Sequence, residues 1–99
     1  MYVVIFRAQA QSLDAEYSAM AGQLRQMALD QFGCLDFTAV AENGSEIALS
    51  YWPDEASIRN WKQASEHLLA QQFGRERWYR AYSVEVAQIH RHYAFNLND

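Results

Sequence analysis

The 99-residue chain predicts an α+β fold of ferredoxin-like order, βαββαβ, in which an antiparallel four-stranded sheet carries two helices on one face. Three observations predict it. Two long segments repeat apolar residues at spacings of three and four. Four shorter segments are rich in β-branched and aromatic residues, and Asn43-Gly44 stands between the middle two, where a tight hairpin turn belongs.

Tyr2 to Gln9 is a nearly unbroken run of β-branched and aromatic residues, the pattern of a central strand covered on both faces. From Ala15 to Gln31, Tyr17, Met20, Ala21, Leu24, Met27 and Ala28 recur at helical spacing, with Ser12 or Asp14 available as cap and Gly33 just beyond the end. Cys34 to Glu42 and Ser45 to Trp52 flank Asn43-Gly44, whose residue types accept the positive φ angles of a type I′ turn, so these segments are antiparallel neighbours. Pro53 breaks the strand, Asp54 can cap the next helix, and Ile58, Trp61, Ser65, Leu68 and Leu69 form the second helical stripe, running toward Phe73 and Gly74. The GRERWYR segment reads as a turn or short extra helix. Ala81 to His92, with Tyr82, Val84 and Val86 alternating against Ser83, Glu85, Ala87 and Ile89, suits a last strand.

No repeat, linker or low-complexity segment interrupts residues 1–99, which form a single domain. An apolar content of 51% against 20% charged residues excludes disorder. The net charge of −4 is the wrong sign for a phosphate-backbone binder, so no nucleic-acid partner is expected. MYVVIFRAQ turns polar too soon for a signal segment or a membrane span, and the expected location is cytoplasmic, with no membrane partner. Cys34 has no second cysteine to pair with and is expected to be a buried, inert thiol.

The strands are apolar or small on both faces, with Val3 and Ile5 opposite Val4 and Phe6, and Ile47, Leu49 and Tyr51 opposite Ala48 and Trp52. Two helices cover one face only. Leaving the second in water would cost roughly 1.5 to 3 kcal/mol per large side chain, a sum comparable with the whole stability of a small domain. A homodimer with its two sheets face to face is therefore expected.

The element order, the two-sided sheet and the run SYWPDEASIRNWKQASEHLLAQ followed by GRERWY closely resemble the antibiotic biosynthesis monooxygenase (ABM) family of dimeric α/β-barrel proteins. The resemblance spans Tyr2 to Tyr93, and its pattern of Tyr51-Trp52, Ile58, Trp61, His67 and Gly74 to Tyr79 is similar to one branch of mostly small bacterial proteins without an assigned reaction. It implies a pocket between the sheet and the second helix. Characterised members are cofactor-independent monooxygenases of aromatic polyketides and quinol-like compounds, and haem-degrading oxygenases. Trp61 matches the helix tryptophan of both branches. The haem-degrading branch also uses an Asn at the end of the first strand and a His late in the second helix. Here those places hold Phe6, Arg7, Ala8 and Gln9, and Gln71, so haem degradation is the weaker implication. The counterpart of a tyrosine that the polyketide branch carries after the helix tryptophan is His67.

Tyr51 to Tyr79 holds all three tryptophans, with His67 and three of the seven arginines. Such a cluster either lines a pocket for a flat, partly polar molecule or forms an aromatic core under a helix. Asn60, Gln63, His67 and Gln71 make a polar stripe beside the Ile58–Trp61 face, which fits a pocket rim or an ordinary amphipathic flank. On the catalytic reading no cofactor is needed. His67 is the base that deprotonates a small electron-rich aromatic, and Arg75 or Arg7 is the counter-charge. Tyr51, Trp52, Trp61 and Trp78, with Ile58 and Phe6, exclude water while the anion reduces dioxygen. On the alternative reading the chain is a non-catalytic dimer that binds a small aromatic metabolite. Arg77 and Arg80 fit a structural tie to Glu76 and Trp78. His90 and His92 lack a third ligand nearby, and no metal is expected.

Overall fold

The computed structural model describes residues 1–10, 15–72 and 79–97. The elements run β1 (Tyr2–Ala10), α1 (Ala15–Gln31), β2 (Asp36–Glu42), β3 (Ser45–Trp52), α2 (Glu55–Gln72) and β4 (Tyr79–Gln88). One sheet has the order β2-β3-β1-β4, every neighbouring pair antiparallel. This is the ferredoxin-like α+β arrangement. Each helix links two strands that are separated by one strand in the sheet, which seats both helices on the same face.

Local chemistry accounts for the element ends. Gly33, at φ 83°, takes the left-handed conformation that stops α1, and the Cys34 N–H donates back to the Ala28 carbonyl at 3.0 Å. Asn43 at φ 53° and Gly44 at φ 81° are the two positive-φ residues of a type I′ turn, as their residue types predict. Asp54 caps α2 by accepting the Ser57 N–H at 2.7 Å, and this hydrogen bond holds the carboxyl below the usual carboxylate range. The caps proposed for α1, Ser12 and Asp14, lie outside the described residues.

The last strand departs from expectation at both ends. It starts at Tyr79, so Tyr79 and Arg80 belong to β4 rather than to a turn, and it stops at Gln88 rather than His92. The ladder closes with the Ile89 N–H on the Met1 carbonyl, after which β1 has no residue left to pair. Cys34 and Leu35 likewise precede β2, whose ladder begins at Asp36.

Register fixes the two faces. Val4, Phe6 and Ala8 of β1, Glu46, Ala48, Ser50 and Trp52 of β3, and Tyr82, Val84 and Val86 of β4 share the inner face, the side of the sheet on which the helices lie. The core lies there: Val4, Ala28, Cys34, Trp52 and Ile58 form one buried cluster, and Tyr17 with Met20 forms a second. Val3, Ile5, Ile47, Leu49 and Val40 sit on the outer face, which neither helix covers. No described helix is long and apolar enough to cross a membrane.

Candidate functional site

The sequence-derived site residues fall into separate places. Trp52 is wholly buried and donates its indole N–H to Ser50 Oγ at 2.8 Å. Trp61 sits against it, with ring centroids 5.4 Å apart, and donates its own N–H to the Leu24 carbonyl of α1 at 3.1 Å. Phe37 meets Trp61 edge-on at 6.0 Å, and Ile58 completes the cluster. The structure thus brings Trp52, Trp61 and Ile58 together as a close-packed aromatic core whose polar tips are already satisfied. Ser65, buried one turn further along α2, donates to the Trp61 carbonyl at 2.7 Å.

His67 is exposed. With Phe32, Asn60, Gln63 and Ala64 it lines an open depression of about 420 Å³ on the flank of α2. Arg7 and Tyr51 lie on the outer face of the sheet, Arg7 exposed beside Ile47 and Tyr51 half-buried beside Val3. Arg75 and Trp78 lie outside the described residues. Among the described residues no group of three or more His, Cys, Asp or Glu is placed to hold a metal ion. Burial raises the Cys34 thiol above its ordinary pKa, which disfavours the thiolate, as an inert buried thiol requires.

Phe6 belongs to a different cluster, at the opposite end of the inner face. Its ring meets Tyr79 edge-on at 5.5 Å and Tyr82 at 5.8 Å, and Tyr17 meets Tyr79 at 5.9 Å and 84°. Leu24 and Leu68 pack against the same group from the helices. The hydroxyls are ordered into a chain: Tyr79 donates to Tyr17 at 3.3 Å, and Tyr17 donates to the Glu46 carboxylate. Burial raises the Glu46 carboxyl above the ordinary carboxylate value, and it raises the Tyr79 phenol well above the ordinary tyrosine value, with the nearby Glu46 charge adding to the effect.

A β-bulge puts Tyr79 there. Gln9 pairs with Ala81 and Ala10 with Tyr79, so Arg80 is the extra residue without a partner on β1. Strict alternation from Tyr82 would send Tyr79 to the outer face. The bulge returns it to the inner one.

The space beside this cluster is open. Along the inner face of β4, Tyr82, Val84 and Val86 are 46 to 48% exposed, while Val4 and Ala8 on the adjacent strand are 5% exposed. The helices lean on β2 and β3, which leaves an apolar strip along β4 walled by tyrosines at one end. Such a strip suits the face of a flat, apolar ring whose hydroxyl reaches the Tyr79 oxygen. Glu46, Tyr17, Tyr79 and Tyr82 carry the polar groups of this cluster, and residue type and spacing alone give none of them a functional role. One signal was available: Glu46 is a carboxylate in the same alternating row as Ala48, Ser50 and Trp52, where burial is expected.

No protein-family model matches the chain. Over 101 residues it is 37% identical to YqjZ, an uncharacterized protein of Bacillus subtilis, across 99% of this chain and 89% of that one. Over 93 residues it is 28% identical to the jasmonate monooxygenase ABM of Pyricularia oryzae, covering 90% of this chain but spanning only 43% of that protein. Among solved structures, SnoaB, a cofactor-independent oxygenase from Streptomyces nogalater, superposes with a TM-score of 0.69 at 12% identity, over 92% of this chain and 94% of that one. A putative antibiotic biosynthesis monooxygenase from Deinococcus radiodurans gives a TM-score of 0.60 at 14% identity over the full length of both. At such identities these two likenesses establish the fold alone.

Proposed function

We propose that the chain, whose 37% identity to YqjZ and 28% identity to the jasmonate monooxygenase ABM support the reading, is a monooxygenase of the antibiotic biosynthesis type that oxygenates a small electron-rich aromatic, of anthrone or quinol type, with dioxygen and no bound cofactor. The observation that carries this reading is the uncovered apolar strip of Tyr82, Val84 and Val86 ending on the Phe6–Tyr79–Tyr17 cluster. A flat substrate lies along the strip with its hydroxyl or enol oxygen toward Tyr79. Loss of one proton makes it electron-rich enough to pass an electron to dioxygen. For an anthrone, recombination at the ring carbon forms a hydroperoxide, which loses water and leaves the carbonyl of a quinone. The protein supplies a proton acceptor, a dry wall and a fixed orientation.

In this proposal Phe6 keeps the wall role expected of it. Trp52, Trp61 and Ile58 hold α2 in place from below, at a distance from the strip. Arg75 and Trp78 remain proposed as counter-charge and wall. The exposed setting of His67 favours placing the base elsewhere.

The second copy belongs to the same proposal. The outer face carries Val3, Ile5, Ile47, Leu49 and Val40 with no helix over them, and Tyr93, Phe95 and Leu97 beyond β4 are strongly exposed. A homodimer with its outer faces together supplies a cover for the apolar face and a partner surface for the tail. Sedimentation equilibrium is expected to report twice the 11.5 kDa mass of the chain, and truncation after Ile89 to weaken the association.

The test of the site is oxygen uptake with dithranol, an anthrone. Wild type is expected to turn it over, and Val84→Trp, which fills an exposed position, to lose at least tenfold in kcat/KM while melting within a few degrees of wild type. Turnover unaffected by Val84→Trp removes the strip as the site. Tryptophan quenching by dithranol without oxygen uptake makes the chain a binding protein.

A further inference from the structure

We infer that Glu46 is the terminal proton acceptor of this site, reached from a bound phenol or enol through the hydroxyls of Tyr79 and Tyr17. The inference rests on the oxygenase reading and supplies the base that the reading needs. Its geometric basis is the continuous donor order, Tyr79 to Tyr17 at 3.3 Å and Tyr17 to the Glu46 carboxylate, together with the bulge at Arg80 that turns Tyr79 onto the inner face beside the strip.

The transfer balances without any other reactant. The substrate hydroxyl proton moves to the Tyr79 oxygen, the Tyr79 proton moves to Tyr17, and the Tyr17 proton moves to Glu46. Both tyrosines are neutral before and after. The single negative charge of the site leaves the carboxylate and appears on the substrate oxygen, so no additional charge has to be created in the low-dielectric interior. After the transfer Tyr79 donates its new hydrogen to the substrate anion, and the chain that carried the proton away then stabilises what it left behind.

The surroundings suit an acceptor. Across the sheet Glu46 faces Ala8 of β1 and Ala41 of β2, neither of which is charged. Tyr17 reaches it from α1, Tyr79 and Tyr82 stand on the β4 side, and α2 contributes the apolar Leu68 to the cluster. Among these described neighbours no cation holds the carboxylate in its ionised form, and burial raises its affinity for a proton. Tyr79, whose phenol burial also raises, passes the proton without resting as an anion.

The experiment uses the full chain with two chromophores, para-nitrophenol, which is visibly yellow when ionised, and para-nitroanisole, which has no proton to give. At about pH 6, between the ordinary carboxylate and phenol values, wild type is expected to ionise the bound phenol at least tenfold more than free solution does. Glu46→Gln and Tyr17→Phe are each expected to abolish that excess while binding para-nitroanisole within twofold of wild type. They should also lower kcat on dithranol by about 10²-fold or more and remove the acidic limb of its pH profile. Tyr17→Phe leaves the carboxylate in place and breaks only the chain, which separates proton transfer from a packing role. A bound phenol equally ionised in both variants overturns the inference and leaves the oxygenase reading standing. Failure of wild type to bind either compound overturns both.

Discussion

The two ends of the inner face are built from the same kind of residue and do opposite things with it. Trp52 and Glu46 sit six residues apart on β3, about 20 Å along the strand. At the Trp52 end both indole N–H groups are spent on acceptors within the fold, Ser50 Oγ and the Leu24 carbonyl. Those two indoles have no N–H left to offer a ligand. At the Glu46 end the aromatic hydroxyls donate to one another and finish on a carboxylate, beside apolar side chains that stay half exposed. Aromatic density therefore does not locate a site. What separates a core from a pocket is whether the polar tips of the rings end on the fold itself or on a group whose protonation can change.

Substitutions at the two ends should sharpen the contrast. Trp52→Ala should have the largest effect, since removing a wholly buried indole costs about 3 to 5 kcal/mol. A chain of this size should then melt roughly 12 °C or more below wild type in a thermal scan. Ser50→Ala should cost about 1 to 3 kcal/mol by denaturant titration, because the Trp52 N–H loses its acceptor in a dry place. If Ser50→Ala proves neutral, the Trp52 end is less dry than the contrast requires.

Glu46→Gln should be different in kind, keeping or raising stability at neutral pH while turnover falls. Burial raises the folded-state pKa of Glu46 above the ordinary value, so the folded chain binds that proton more tightly than the unfolded chain. The associated stability is fully present below the unfolded pKa and is lost as pH rises through the folded value. Melting temperatures measured from acidic to neutral pH should therefore show the wild type losing ground to Glu46→Gln as pH rises. A wild type that gains on the variant over the same range would mean that the carboxylate is stabilised by its partners rather than strained. His67→Ala should be the smallest change, within about 0.5 kcal/mol in stability and without effect on dithranol turnover. A clear loss of turnover there would move the chemistry to the flank of α2.

Much of the architecture is legible in the sequence. Ala15–Gln31 and Ser45–Trp52 match the expected segments end for end, because helical spacing, Gly33 and Asn43-Gly44 are local signals that neighbouring elements reinforce. The site was readable only in part. The sequence offers Phe6 as a wall, a role the proposal keeps, and the tryptophans as a cluster, but a tryptophan contacting a core and one lining a cavity have the same sequence spacing. The difference lies in where the N–H points, which depends on α1 passing close enough to Trp61 for its Leu24 carbonyl to accept.

The sequence by itself determined the order of the elements, the hairpin, and a sheet with two apolar faces and helices enough for one. These features arise from periodicity and turn chemistry within a few residues of each position. Only the tertiary structure decided that Tyr79 joins Tyr17 and Glu46. That meeting needs an unpaired Arg80 in β4, which reverses the alternation a strand sequence implies, and it needs residues 17, 46 and 79, far apart in the chain, to arrive at one corner of the sheet. A period of two is written in the side chains. The bulge that breaks it shows only in how β4 pairs with β1.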